Sequence, residues 1–282
     1  MNAFIDRYEA LGWDFVKVFP KQCIRVNNLK TNPRELINRL ESKGISLKKV
    51  PFLENGYYAR SKFSLGATPE YLMGLYGLQE PASQLPVPVL KPEGVVLDCC
   101  ASPGGKSAQI AEKAEAVIAL ESQSSRIPSL VNNLERFGVR NSIVYNADAR
   151  SFESPLKFKK ILVDAPCSGN YSTDSGWFLK QSISNFLTRQ KLQKEILSNV
   201  SDLLDENGDI VYSTCSLEPE ENELVLQWAI DKLDLKVVPI ESIGVKGLTS
   251  VFGSNLDGQI KNARRIWPSE NTQGFFMARL KK

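Results

Sequence analysis

Two cysteines follow apolar runs, at positions where a thiol could act as a nucleophile. Cys167 stands in ILVDAPCSG (161–169) and Cys215 in IVYSTCS (210–216). A third apolar run, VVLDCCASPGGK (95–106), ends in a loop with two glycines. Glycines let a backbone approach a ligand closely, and a following helix offers free N–H groups. The three segments predict a nucleotide-like cofactor beside two thiols, which suits covalent chemistry on a nucleobase.

The composition excludes several other uses of these cysteines. The chain has 282 residues, five cysteines and no histidine. Ser-His and Cys-His hydrolases are therefore excluded, and any general base must be Asp, Glu, Lys, Tyr, Cys or water. An odd number of cysteines without a CxxC pair disfavours a disulfide scaffold and a zinc site, so we predict no metal. For Cys23 and Cys99 we expect buried structural thiols.

Charge and hydropathy limit the compartment and the partners. No apolar run reaches the roughly 18 residues of a membrane-spanning helix, and the sequence MNAFIDRYEALGWDF lacks a secretory pattern. We therefore expect a cytoplasmic, monomeric protein with no membrane partner. Residues 1–90 hold 12 Lys and Arg against 8 Asp and Glu, whereas the remaining residues hold 23 against 24. This basic bias fits a domain that faces RNA, and fits an ordinary solvated surface equally well.

In the first third of the chain, over residues 1–80, we predict a small α+β module that binds RNA. Pro33 at an early helical position and Gly44 after the apolar residues bound one helix. The expected elements are a helix over 1–12, a strand over 23–27, the helix from Pro33, and strands over 45–50 and 56–60. This β-α-β-β order suggests a sheet like that of an RNA-recognition module. Prolines 81, 86, 88 and 92 mark the transition to a catalytic domain over 81–282.

The rest of the chain alternates strands and helices. We expect strands over 95–99, 116–122, 141–148, 160–165, 209–214, 235–240 and 274–280. Helices are expected from about residue 105 and over 125–137, 182–204 and 220–232. Strands that are apolar on both faces predict an α/β fold with a mostly parallel sheet covered on both sides. Ligands of such a sheet bind beyond the carboxyl ends of its strands.

Three interpretations of the glycine-containing loop compete. Residues 105–107 (GKS) fit the end of a P-loop, but Cys100 occupies the position of its first glycine, and a GxGxxG dinucleotide motif is absent. The third interpretation is S-adenosylmethionine, whose zwitterionic methionine end suits a tight loop. Glu121 and Asp148 end the next two strands, where carboxylates can bind a ribose and an adenine. Such carboxylates are also common as caps and turn residues.

Five segments carry a resemblance to a known family. They are RVNNLKTNPRELINRLESKGI, LDCCASPGGKSAQIA, LVDAPCSGNYSTD, IVYSTCSLEPEENELVL and GFFMARL. Over nearly its whole length the chain resembles the RNA 5-methylcytosine methyltransferases of the Sun/RsmB group. The resemblance implies a Rossmann-like class I methyltransferase sheet and transfer of a methyl group from S-adenosylmethionine to carbon 5 of a cytosine. The shortness of the chain favours tRNA as the substrate, with rRNA as the alternative.

The resemblance also implies the roles of individual residues. Cys215 would be the nucleophile, Cys167 the residue for product release or the general base, and Asp164 a contact to the cytosine. The family usually has Asp where Glu121 stands and Ala where Ser102 stands. The implied cofactor contacts are Cys100, Ala101, Ser102, Pro103, Gly104, Gly105, Lys106, Glu121, Arg126, Asp148 and Asp164.

The chemistry requires a thiolate. Addition of a thiolate to carbon 6 of cytosine makes carbon 5 enamine-like, so that it can attack a sulfonium methyl group. A free cysteine has a pKa of about 8.5, so a cationic or N–H-rich neighbour must favour the anion, and the sequence does not show which group this is.

Arg264 and Arg265 could contact phosphate or lie in a solvated loop. Two other classes stay open: a non-catalytic RNA-binding protein on a methyltransferase fold, and a P-loop-like NTPase.

Overall fold

The computed structural model describes residues 3–282, which form two large sheets joined by a buried interface. The smaller sheet lies in the N-terminal part of the chain. Its strands are β1 (Cys23–Val26), β2 (Ser46–Lys49), β3 (Gly56–Arg60) and β4 (Tyr76–Leu78). The helices of this part are α1 (Ala3–Ala10), α2 (Pro33–Glu41) and α3 (Pro69–Leu72). The helix expected over 1–12 is thus present as α1, and residues 1 and 2 lie outside the described residues.

The N-terminal sheet has the topology of an RNA-recognition module. Its four antiparallel strands lie in the order β2-β3-β1-β4, and the chain runs β-α-β-β-α-β from β1 to β4. This is the split β-α-β arrangement that RNA-recognition modules share. Helix α2 packs on one face of the sheet through Leu36 and Leu40, which share an apolar core with Ile24 and Val26. The sequence did not reveal β4 and α3, because both elements are short.

The opposite face of this sheet is covered at β1 by the C-terminal part of the chain. Arg25 is buried there, and its guanidinium forms an ion pair with Glu112. Arg25 also donates a hydrogen bond to the carbonyl oxygen of Gly105 (3.3 Å), while Cys23 belongs to the apolar core of the larger sheet. The face on which RNA-recognition modules stack bases is therefore occupied here along its central strand.

The larger sheet has nine strands and forms the C-terminal part of the molecule. Its parallel strands are β5 (Val95–Asp98), β6 (Ala116–Leu120), β7 (Ser142–Tyr145), β8 (Phe158–Asp164) and β9 (Leu204–Thr214). Its antiparallel strands are β10 (Lys236–Val238), β11 (Val245–Lys246), β14 (Arg264–Ile266) and β15 (Phe275–Lys281). A separate small hairpin consists of β12 (Ser250–Val251) and β13 (Ser254–Asn255).

The strand order creates a switch point in the middle of the sheet. The order is β11-β14-β15-β9-β8-β5-β6-β7, with β10 also paired to β15. The chain therefore leaves β5 towards β6 on one side and later returns on the other side through β8. Open α/β sheets bind ligands at such a point, beyond the carboxyl ends of the strands. The expected α/β fold with a mostly parallel sheet is confirmed. Its last two expected strands form antiparallel pairs, β15 with β9 and β10 with β15.

Helices cover both faces of the larger sheet. One face carries α4 (Pro86–Leu90), α5 (Gly105–Ala111) and α6 (Ile127–Phe137), and the other carries α8 (Ile183–Leu203) and α9 (Glu223–Leu233). A short helix, α7 (Trp177–Lys180), lies between β8 and α8. No helix within residues 3–282 combines the length and the apolar character needed to cross a membrane.

Helix α1 packs against the C-terminal part of the chain and not on the N-terminal sheet. The buried Tyr8 lies in an aromatic cluster with Tyr171, Trp177 and Phe186. Its hydroxyl donates a hydrogen bond to the carboxylate of Glu218 (2.8 Å). The first helix therefore contacts the segments that follow the two cysteines of interest. A domain division at residue 80 stays a prediction.

Candidate active site

Three neighbouring parallel strands bring the functional loops to one edge of the sheet. These strands, β5, β8 and β9, end at Asp98, Asp164 and Thr214. Asp164 pairs directly with Ser213 of the neighbouring strand. The loops that follow place the Sγ atoms of Cys167 and Cys215 3.1 Å apart. Two residues separated by 48 positions thus form one thiol pair.

The two thiols are not equivalent. The hydrogen bond to Cys215, followed by partial burial, raises the pKa of the Cys167 thiol well above its usual range. Cys167 therefore keeps its proton and can donate it to the sulfur of Cys215. The carbonyl oxygen of Cys215 accepts a hydrogen bond from the side-chain amide of Asn170 (2.8 Å), which fixes the backbone of the loop.

Lys106 supplies the positive charge that the sequence did not identify. Its ammonium lies 2.6 Å from Asp164 Oδ2, and Ser213 donates a hydrogen bond to Oδ1 of the same carboxylate (2.7 Å). Burial alone would lower the pKa of Lys106, but attraction to Asp164 and to the thiolate form of Cys215 raises it. Lys106 thus stays charged at neutral pH, within the electrostatic field of the Cys215 sulfur.

The loop of residues 100–106 forms the wall of a cavity at the carboxyl end of β5. Gly104 has a φ of +102°, a conformation that residues with a side chain rarely adopt. Asp98, at the end of β5, is buried, and Ser107 donates a hydrogen bond to its Oδ2 atom (2.7 Å). Its Oδ1 atom has no hydrogen-bond partner among residues 3–282. A buried carboxylate oxygen without a donor fits a ligand that brings an ammonium or a hydroxyl group.

Asp98 was missed in the sequence analysis. Burial raises its pKa to about 6. The signal that could have found it is its place as the last residue of VVLD, directly before the glycine-containing loop. Asp98 thus ends a strand, as Glu121 and Asp148 were expected to do.

A second cavity brings together the other expected cofactor residues. It is lined by Cys100, Glu121, Arg126, Asp148 and also by Arg150 and Arg189, which the sequence analysis did not include. Arg126 lies 3.2 Å from the carboxylate of Glu121 and donates a hydrogen bond to the carbonyl oxygen of Ser102 (2.9 Å). Arg126 therefore connects the loop to the end of β6. Arg150 holds the carboxylate of Asp148 at 2.7 Å.

The N-terminal part of the chain completes the first cavity. That cavity is lined by Cys100, Ala101, Ser102, Pro103, Gly105, Lys106 and Asp164, together with Gln79 and Glu80. The carboxylate of Glu80 accepts hydrogen bonds from the backbone N–H groups of Ser83 and Gln273. Burial of this carboxyl raises its pKa to about 7. No motif in the sequence pointed to Glu80, because its place in the site depends on how the two sheets dock.

Arg265 has neither of the surroundings that the sequence suggested. Its side chain is fully buried, forms an ion pair with Glu223, and donates a hydrogen bond to the carbonyl oxygen of Leu217 (2.6 Å). It neither lies in a solvated loop nor is open to phosphate. An arginine in a short strand was not distinguishable from a surface residue in the sequence.

Within residues 3–282, no group of His, Cys, Asp and Glu side chains is arranged to hold a metal ion.

Comparison with known families gives a match to nearly all of the chain. Residues 87–281 match the family described as 16S rRNA methyltransferase RsmB/F. Residues 2–81 match the N-terminal domain of 16S rRNA methyltransferase RsmF. Two separate family descriptions therefore cover the two parts of the chain.

Similar curated proteins are longer than this chain. A 28S rRNA (cytosine(4447)-C(5))-methyltransferase of Homo sapiens is 35% identical over 275 residues, which are 92% of this chain and 34% of that protein. The ribosomal RNA small subunit methyltransferase F of Vibrio parahaemolyticus is 35% identical over 93% of this chain and 57% of its own length. The chain thus spans between about a third and three fifths of these relatives.

Solved structures share the fold over the whole chain. A methyltransferase homolog protein from Pyrococcus horikoshii has a TM-score of 0.85 and 34% identity, and the match covers 100% of this chain and 99% of that one. NSun6 from Pyrococcus horikoshii, solved with SFG, has a TM-score of 0.81 and 23% identity over 94% and 92% of the two chains. At that identity the second similarity shows the fold alone.

Proposed function

The chain belongs to the RsmB/F family of methyltransferases, and from this membership we propose that it transfers a methyl group to carbon 5 of a cytosine in RNA. The observation that carries the proposal is the thiol pair of Cys167 and Cys215, 3.1 Å apart, beside the ion pair of Lys106 and Asp164. Cytosine methylation at carbon 5 needs a thiolate nucleophile. It also needs a polar group that can receive the base, and the exposed part of Asp164 provides one.

S-adenosylmethionine is the proposed cofactor, and it would supply a methyl group on a sulfonium centre. The loop of residues 100–106, which follows the buried Asp98, lines the cavity that suits its charged methionine end. Glu121 and Asp148 line the cavity that suits its nucleoside end. Arg126 would act by holding Glu121 and the loop together.

Cys215 starts the reaction as the nucleophile. Its sulfur forms a bond to carbon 6 of the cytosine, and the electron pair of the C5–C6 double bond moves towards carbon 5. Asp164 would accept a hydrogen bond from the amino group or the protonated ring nitrogen and so stabilise positive charge on the base. Protonation of that nitrogen draws electron density away from carbon 6. Lys106 holds the carboxylate of Asp164 in place through its 2.6 Å contact. Carbon 5 then takes the methyl group.

Cys167 acts in the release of the product. The strongest cause of its raised pKa is the hydrogen bond to Cys215. Once the Cys215 sulfur is bonded to carbon 6, that sulfur is neutral and a poor acceptor, so the Cys167 thiol can more easily release its proton to solvent. The Cys167 thiolate would then accept the proton from carbon 5. The C5–C6 double bond re-forms, the S–C6 bond breaks, and Cys215 leaves as a thiolate.

For the substrate, we propose RNA whose target cytosine is unpaired or weakly paired. The base must leave its stack before a thiol can reach carbon 6, and this costs least where pairing is weak. The relatives named above act on rRNA, which favours rRNA for this chain, and tRNA is the second candidate. The N-terminal part of the chain is proposed to bind RNA around the target base.

The test is methylation of purified RNA by the purified protein. Ribosomal RNA and total tRNA are incubated with S-adenosylmethionine, and 5-methylcytosine is mapped by bisulfite sequencing. We expect one modified position with the wild-type protein and none with Cys215→Ala. A melting-temperature shift with S-adenosylmethionine but not with ATP distinguishes the methyltransferase from an NTPase. If neither RNA gains 5-methylcytosine and S-adenosylmethionine causes no shift, the proposed function is wrong.

A further inference from the structure

Each cysteine of the thiol pair is followed by a serine, and both serines bind the same carboxylate. Ser168 follows Cys167, and Ser216 follows Cys215. The hydroxyl groups of both serines donate to Oε1 of Glu221, the one from Ser216 at 2.7 Å. The backbone N–H of Ser168 donates to Oε2 of the same side chain (3.0 Å). One carboxylate thus joins the two loops directly behind the two sulfur atoms.

A fourth donor holds Glu221 from the opposite side. The side-chain amide of Gln193, on helix α8, donates to Oε2 of Glu221 (3.0 Å) and also to the carbonyl oxygen of Pro166 (3.0 Å). Pro166 directly precedes Cys167. All hydrogen bonds that Glu221 receives within residues 3–282 therefore come from neutral groups, although its side chain is fully buried.

Only a carboxylate can accept all four of these hydrogen bonds. It has two oxygens with about four acceptor positions, whereas an amide has one oxygen. Burial raises the pKa of Glu221, and the four hydrogen bonds oppose this rise. They therefore offset part of the cost of burying a carboxylate without a cation. Glu221 touches neither sulfur atom, and its contacts lead to the backbone and the serines on both sides of the pair.

We propose that Glu221 is a positioning residue that fixes Cys167 and Cys215 relative to each other through Ser168 and Ser216. This inference rests on the proposed function, because it assigns a task to the residues around the thiol pair. The two loops follow separate strands, and no covalent bond joins them. The clamp, defined as Glu221 with Ser168, Ser216 and Gln193, explains why a serine follows each cysteine.

The catalytic test compares Glu221→Ala with Glu221→Gln. The readout is the rate of covalent adduct formation with RNA that contains 5-fluorocytidine. In this RNA a fluorine replaces the hydrogen of carbon 5. A base cannot remove it as it removes a proton, so the adduct stays trapped. For Glu221→Ala we expect a rate about 100-fold lower, because a misplacement of about 1 Å has effects of that size. Glu221→Gln should recover most of the rate, because its NH2 group can donate to the serine hydroxyls and its oxygen can still accept.

Two further measurements separate positioning from loss of the fold. Glu70 is an equally buried carboxylate in the N-terminal part, so Glu70→Ala is the matched control; it should lower the melting temperature but keep the adduct rate well below that temperature. Ser168→Ala and Ser216→Ala each remove one arm of the clamp and should lie between the wild type and Glu221→Ala. The affinity for S-adenosylmethionine should be the same in all of these variants.

The clamp can also be tested without activity. Diamide oxidises two neighbouring thiols to a disulfide and itself takes up two electrons and two protons. With Sγ atoms 3.1 Å apart, the wild type should form the Cys167–Cys215 disulfide quickly, and Glu221→Ala should form it at least about tenfold more slowly, since the rate depends on access of one sulfur to the other. The disulfide is identified by mass spectrometry of the linked peptides.

The outcomes are distinct. A wild-type adduct rate and a wild-type oxidation rate in Glu221→Ala would contradict the clamp. An adduct rate in Glu221→Gln as low as in Glu221→Ala, together with a wild-type oxidation rate in Glu221→Gln, would show that the charge takes part in acid–base chemistry, which also contradicts a positioning role. If the wild type forms no adduct with any RNA while the oxidation rates differ as expected, the proposed function fails and the clamp stands.

Discussion

At the scale of single residues, the site depends on one ammonium that interacts with both a carboxylate and a cysteine. Lys106 contacts Asp164 and lies in the field of Cys215, and its raised pKa keeps it charged. The same residue follows the glycines of the cofactor loop. It therefore connects three parts of the proposed reaction: cofactor, base and nucleophile.

Replacing this ammonium should slow the attack on cytosine. We expect Lys106→Gln to lower the rate of adduct formation about 10- to 100-fold, because about 1.4 kcal/mol of lost electrostatic stabilisation corresponds to each factor of ten. The measurement is trapping with RNA that contains 5-fluorocytidine. Lys113→Gln, at an exposed lysine in an ion pair with Glu54, is the control and should not change the rate. Equal rates in both variants would contradict the role of Lys106.

The two cysteines should respond differently to removal. With Cys167→Ala and unmodified RNA, we expect a covalent protein–RNA adduct to accumulate, because the group that accepts the proton of carbon 5 is gone. With Cys215→Ala, neither an adduct nor a product should form. Denaturing gel electrophoresis separates the adduct from the free protein. The opposite pattern would exchange the two roles.

At the scale of elements, helix α1 supports the loops that carry the cysteines. Tyr8 and Trp13 pack in the aromatic cluster with Tyr171 and Trp267, and the rings of Trp13 and Trp267 are stacked 4.8 Å apart. Trp177, in the same cluster, donates a hydrogen bond to the carbonyl oxygen of Ser168 (2.8 Å). An element far from the site in sequence thus lies directly behind the Cys167 loop.

The attachment of α1 should depend on pH through Glu218. Burial raises the pKa of this carboxyl to about 7, against the opposing effects of Tyr8 and Arg7. A raised folded-state pKa means that the contribution of Glu218 to stability is complete below its unfolded value of 4.5 and is lost as the pH rises through about 7. Above that pH, the ionised carboxylate relies on Tyr8 and Arg7 as donors.

Tyr8→Phe removes one of these donors. We expect the free energy of unfolding to fall by about 2 kcal/mol at about pH 8, where Glu218 is ionised. At about pH 5 the loss should be smaller, because a protonated carboxyl needs the donor less. Urea denaturation at both pH values measures the difference. Tyr145→Phe, at an exposed tyrosine, is the control; a loss that does not change with pH would contradict the coupling to Glu218.

At the scale of the whole molecule, the two sheets share one buried interface, and the interface reaches the cofactor loop. Arg25 joins Glu112, on the C-terminal side, and also contacts the carbonyl oxygen of Gly105. Gln79 and Glu80 line the same cavity as Lys106 and Asp164. The N-terminal part is therefore a wall of the site in addition to its proposed role in RNA binding.

Breaking this interface should affect both stability and the cofactor. Arg25→Ala leaves the carboxylate of Glu112 buried without its cation, and we expect a loss of about 3 kcal/mol in the free energy of unfolding. Arg25→Leu combined with Glu112→Leu should recover part of that loss, because no unpaired charge remains. The affinity for S-adenosylmethionine should fall in Arg25→Ala, as measured by calorimetry.

The control for this interface is Arg34→Ala, at an exposed arginine of α2, which should change neither quantity. An unchanged affinity in Arg25→Ala would mean that the contact with Gly105 does not shape the cofactor loop.

A cytoplasmic location and a monomeric state stay predictions from the sequence.

Local patterns in the sequence were sufficient for the fold class and for the residues that we propose to carry the chemistry. Apolar runs of strand length, each followed by Gly, Asp or Cys, predicted strands β5, β8 and β9 and the loops after them. These signals lie within a few neighbouring residues, since strand and turn preferences act locally. The thiols Cys167 and Cys215, the loop of residues 100–106 and Asp164 were therefore found before any coordinates.

Contacts between distant segments could not be predicted in this way. The cation for the thiolate, the unpaired oxygen of Asp98, the Glu221 clamp and the place of α1 depend on which segments meet when the two sheets dock. A buried arginine such as Arg265 has the same local sequence signal as an exposed one. Burial and pairing are properties of the packed chain. They set the raised pKa of Cys167, on which the different roles proposed for the two cysteines depend.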